Sequence, residues 1–100
     1  ACADVISALF VQIVHKSTFR RQLHDLHNTS TVLLRHYTDR RIDYAQYAET
    51  QVVVHSRMQQ LTSQIASVDT FIEQISKAVF GEIWYNSNRG HLTSIDEYLL

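Results

Sequence analysis

The apolar positions of this chain keep step over most of its length. Val54, Met58, Leu61, Ile65, Val68, Ile72, Ile75 and Val79 are separated by alternating steps of four and three residues. That spacing keeps one seam of a helix turned toward a neighbouring helix. The same steps run backward without a skip through Gln51, Tyr47, Tyr44, Arg40, Tyr37, Leu33, Ser30, Leu26 and Leu23 to Phe19. In this register Leu23, Tyr37, Tyr44, Met58, Ile65, Ile72 and Val79 are a positions. Leu26, Leu33, Tyr47, Val54, Leu61, Val68 and Ile75 are d positions. Ser30, Arg40 and Gln51 are polar interruptions, places where a helix ends or where register is fixed. As one unbroken helix, residues 19–82 would be roughly 95 Å long at about 1.5 Å per residue.

Upstream of the seam, Asp4 is a residue able to cap a helix, and Val5 to Val14 is apolar on nearly every side. A buried strand would show the same composition, but no turn signal separates this run from the seam, so a helix is expected. Two stretches offer a break. Asn28-Thr29-Ser30-Thr31 is a run of residues whose side chains compete for backbone partners, and Thr38-Asp39-Arg40-Arg41 is the second candidate. The first is the expected turn, giving a helix over about residues 4–27 and a long helix over about 31–85. Asn86-Ser87-Asn88-Arg89-Gly90 supplies both Asn and Gly to end the long helix and begin a tail over 86–100. In that tail Ser94-Ile95-Asp96-Glu97 has capping-box spacing, and Tyr98, Leu99 and Leu100 are expected to dock back on the bundle.

The apolar face is wider than a two-stranded zipper requires. Positions that would carry complementary charges hold Leu34, Ala48, Phe71, Ala78 and Ile83, and Val52, Val53, Phe80 and Trp84 widen the face further. A face of that width calls for three or more helices. Energetics point the same way: a well-buried aliphatic side chain stabilises by roughly 1.5 to 3 kcal/mol, while ordering each residue costs about 1 to 2 kcal/mol in backbone entropy. The expected fold is therefore all-α, with residues 1–100 a single helical domain. Its form is an elongated helical hairpin, or coiled-coil-like helices, packing into a multi-helix bundle by oligomerisation. The expected partners are the chain itself or other helical protein subunits. Val54, Met58, Leu61, Ile65, Val68, Ile72, Ile75 and Val79 would form the interface, with Phe71, Phe80 and Trp84 as aromatic anchors.

Composition supports regular structure. Of 100 residues, 45% are hydrophobic and 19% charged, with no proline and two glycines, so neither disorder nor a sheet with tight turns is favoured. The net charge of −1 makes no global argument for nucleic acid or membrane. Its distribution is uneven: from His15 to Arg41 six basic residues face two acidic ones, and from Ile42 to Glu82 two basic residues face five acidic ones. Halves of opposite sign can lie side by side. The single cysteine, Cys2, excludes an internal disulfide. Ala1-Cys2 fits the end of a lipoprotein processing site, but the apolar run that precedes such a site is not in the chain. The chain opens without Met, as a processed form or a fragment would. Val5 to Val14 is too short for a bilayer span of about 20 residues, so no membrane span is expected and a soluble, intracellular protein is favoured.

Candidate chemistry is sparse. His24 and His27 share a helix face at a spacing that can present two imidazoles to one ion, but no third ligand accompanies them, and no metal or cofactor is expected. Arg20, Arg21, Arg35, Arg40 and Arg41 form a basic stretch, the basis of an alternative use as a phosphate- or nucleic-acid-binding helical module. A solvated basic face pairing with the acidic half is the preferred reading. Tyr37, Tyr44, Tyr47, Phe71, Phe80, Trp84 and Tyr85 are spaced as packing residues. No elbow or Gly-rich motif surrounds a nucleophile. The expectation is a non-enzymatic structural subunit.

Overall fold

The computed structural model describes residues 2–94, which form three helices: α1 (Cys2–Thr38), α2 (Tyr44–Phe80) and α3 (Glu82–Ser94). No strand occurs among them. Helices α1 and α2 are each 37 residues long and lie antiparallel, and the molecule measures 58 × 22 × 21 Å. A 37-residue helix is about 55 Å long, so the hairpin sets the long dimension.

The turn lies at residues 39–43 and not at 28–31. The helix tolerates the Asn28–Thr31 run because its hydroxyls bond back within the turn below: Thr29 Oγ1 donates to Asp25 O at 3.0 Å and Thr31 Oγ1 to His27 O at 3.1 Å. The actual turn is closed from both sides. At the end of α1 the Arg40 N–H donates to Tyr37 O at 3.1 Å and the Arg41 N–H to His36 O at 2.8 Å, with Arg40 at φ 60°. That is the bonding of a Schellman cap, with arginine in the left-handed position that glycine usually takes. At the start of α2 the Asp43 carboxylate accepts from the Gln46 N–H at 2.8 Å, and Gln46 Oε1 accepts from the Asp43 N–H at 3.1 Å, a complete capping box. Turning here gives two arms of equal length, so each apolar position of α2 finds α1 beside it. A turn at 28–31 would have left half of a 55-residue helix uncovered.

The second break is also displaced. Helix α2 stops at Gly81, whose φ of 96° is a conformation that side-chain-bearing residues rarely adopt. The Gly81 N–H donates to Lys77 O at 3.0 Å, and the Tyr85 N–H to Gly81 O at 3.1 Å as α3 begins. Asn86 to Gly90, expected to end the long helix, are helical within α3, where Asn88 Nδ2 donates to Trp84 O at 2.8 Å. Asp4 lies in the first turn of α1, where a carboxylate favours the positive end of the helix dipole. The capping box at Ser94–Glu97 extends past the last described residue, and Tyr98, Leu99 and Leu100 lie outside those described.

The core sits at the end of the hairpin away from the turn, called here the open end. Leu9 and Ile13 of α1 pack with Val68 and Ile72 of α2, flanked by Val5, Phe19, Ile75 and, from α3, Leu92. Farther toward the turn Leu61 is fully buried and Val54 nearly so.

Candidate interaction surfaces

The seam faces inward, onto the chain's own first helix. Val54, Leu61, Val68 and Ile72 are buried, and Met58, Ile65, Phe71 and Ile75 are half-buried. Their spacing predicts contact with a partner, and within this chain α1 already covers their deepest positions. Val79, Phe80 and Trp84 remain exposed where α2 gives way to α3, with the Phe80 and Trp84 rings 4.5 Å apart.

The polar interruptions of the seam pair with each other. Ser30 Oγ donates to Gln51 Oε1 at 3.0 Å and Gln51 Nε2 donates to Ser30 O at 3.1 Å, both across the hairpin. Sliding the helices would leave half-buried polar groups unpaired, so this pair holds one register. Nearer the turn, Tyr37 stacks on Tyr47 at 4.8 Å and meets Tyr44 edge-on at 6.0 Å. At the open end Lys16, only 1% exposed, forms an ion pair with Asp69 at 2.8 Å. The basic half of the chain thus lies along the acidic half, as the charge distribution suggests. A seam that starts at Phe19 misses Lys16. Continued by the same steps, it reaches Lys16, Gln12 and Leu9.

The five arginines singled out in the sequence are not gathered into one site. Arg35, Arg40 and Arg41 are exposed at the turn, while Arg20 and Arg21 sit about 20 Å farther along α1 by helical rise. The second group shares its part of the hairpin with polar side chains: Arg57 Nη2 of α2 donates to Gln22 Oε1 at 3.4 Å. His24 and His27 are both exposed, and no cluster of three metal-ligating residues occurs among the described residues. His27 does line an open groove of about 610 Å³ with His55, Leu23 and Met58, one imidazole from each arm of the hairpin.

On the flank of α2, Lys77 Nζ contacts Glu73 Oε1 at 2.9 Å and lies 5.3 Å from the centre of the Tyr85 ring. The hydrogen bond to Glu73 holds the Lys77 ammonium above its ordinary pKa.

What the hairpin leaves uncovered is unevenly placed. The large apolar side chains exposed among the described residues fall in two groups. Ile6, Phe10, Val11, Val14, Val79, Phe80, Ile83 and Trp84 are at the open end, and Val32, Leu34, Tyr37, Tyr44, Val52 and Val53 are toward the turn. None lies in 15–31 or 54–78, ranges that include the middle of the rod. One groove there is lined by Ser56, Gln59, Gln60, Ser63 and Gln64. No helix among the described residues is long and apolar enough to cross a membrane. Compared with family models, curated proteins and solved structures, the chain matches none.

Proposed function

We propose that this chain is a non-enzymatic assembly subunit, which self-associates or joins a larger helical complex through the apolar surface that its own hairpin leaves uncovered. One observation carries the reading: the open end presents Ile83 at 85% exposure, Phe10 at 60% and Ile6 at 58%. Extended apolar surface marks interaction sites, and these exposed side chains lie at one end of the rod. The residues proposed for contact therefore shift from the buried part of the seam to its exposed continuation, Val79, Phe80 and Trp84, together with Ile6, Phe10 and Ile83. Aromatic side chains in such a patch are the groups that dominate interface energies.

The test is the double substitution Phe10→Glu with Ile83→Glu, followed by light scattering on a sizing column. Both positions are exposed, so helix content and melting temperature should be retained while association is lost. Wild-type association that survives the double substitution would overturn the proposal.

A further inference from the structure

The turn that closes the hairpin lacks the residues that most strongly break a helix. Thr38, Asp39, Arg40, Arg41, Ile42 and Asp43 include neither glycine nor proline, and Arg40 is held at φ 60°, the one positive φ outside glycine among the described residues. Left-handed backbone is unfavourable for any residue with a Cβ. The seam, moreover, does not lose phase here: Leu33, Tyr37, Arg40, Tyr44 and Tyr47 keep the steps of four and three straight through the turn. A hairpin loop has no need of that phase. A continuous helix does, because a skipped step would rotate one arm's seam away from the other's.

From the strained hinge and the unbroken phase we infer that the hairpin opens and exchanges arms with a second copy, α1 of each chain lying along α2 of the other. It is a second mode of self-association, made through the seam and not through the outer apolar surface proposed above. The opened chain is a single helix over residues 2–80, about 120 Å long against the 58 Å of the hairpin. The stacking of Tyr37 on Tyr47, the Ser30–Gln51 pair and the Lys16–Asp69 ion pair all re-form between chains, since the antiparallel register is the same. Little is lost in the exchange, which is why swapping is a low-cost route to dimers. Two gains are specific to the dimer. Each Arg40 returns to helical φ, and the layer next to Tyr37–Tyr47 brings Arg40 beside the partner's Tyr44, a cation over an aromatic face. Tyr44 is 67% exposed in the hairpin and has room to accept it.

Two substitutions at the hinge should act in opposite directions. Arg40→Gly relieves the left-handed position and weakens the continuous helix, so it should lower the dimerisation constant by about tenfold or more, each dimer containing two hinges. Asp43→Ala removes the cap that only the hairpin needs, and should raise the constant by a similar factor. Both are read by light scattering over a concentration series. In a Cys2→Ser background, the pair Ser30→Cys with Gln51→Cys is then oxidised in the isolated dimer, where the bond should join two chains. Opposite shifts with interchain bonds support the exchange. Association that ignores residues 40 and 43, with bonds formed within chains, overturns the exchange but leaves assembly through the outer surface standing. A chain that does not associate at any concentration overturns both.

Discussion

The two halves of the hairpin are built from the same seam, yet they exclude water to different degrees. Toward the open end Leu9, Ile13, Val68, Ile72, Ser76 and Tyr85 are all buried. Toward the turn Val54 is buried, but Leu23, Leu26, Leu33 and Tyr47 are half-buried although they hold equivalent seam positions. The difference is the third helix. At the open end α3 turns back at Gly81 and brings Leu92 against the core. In the turn half only two helices meet, and most seam residues keep a flank in water, with Val54 and, toward mid-rod, Leu61 the exceptions. Seam spacing therefore selects which residues face inward, and a third helix widens the sealed region where it reaches.

The sharpest break of this comparison is a truncation on each side. Ile72→Ala removes a side chain 2% exposed and surrounded by the core cluster, and should cost about 3 kcal/mol. Val54→Ala in the turn half should cost about half as much, since fewer atoms are removed and the surroundings are wetter. Chemical denaturation of the two variants checks the ratio, and equal losses would mean that both halves are equally sealed. Amide exchange sharpens the same contrast: protection should be greatest around Leu9, Ile13, Val68 and Ile72 and fall toward the turn.

The smallest expected effect concerns the flank of α2. Because the folded-state pKa of Lys77 lies above its ordinary value of 10.5, its pair with Glu73 contributes fully below that pH, and the contribution is lost as pH rises through the raised value. Lys77→Met should remove that part of the alkaline decline in melting temperature and leave neutral pH nearly unchanged, as suits an exposed pair.

Much of the fold is legible as spacing. The inward face of α2, and the half of α1 from Leu23 to Leu33, follow from steps of four and three, and the polar members Ser30 and Gln51 satisfy each other. The turn falls at the second of the two cap-forming stretches, Thr38-Asp39-Arg40-Arg41, and not at the first. Thr29 and Thr31 are equally content inside a helix when their hydroxyls reach back to Asp25 O and His27 O. The true start of α2 does carry a sequence signal, Asp43 with Gln46 three residues on. Gly81 is masked by the Asn- and Gly-containing run that ends nine residues beyond it. The inward position of Lys16 is hidden by its charge, although its place in the repeat matches that of Leu23. As for the surfaces, spacing identifies a wide apolar face. It does not show how much of that face the first helix covers, because that depends on where the chain turns.

The central claim is that covering the seam from within still leaves more apolar surface than a solitary rod of 11.6 kDa can keep in water. Sedimentation equilibrium of the wild-type chain from low to high micromolar concentration tests it most directly. The weight-average mass should climb to a multiple of 11.6 kDa, and a mass that stays at 11.6 kDa throughout, with helix content intact, would contradict the claim.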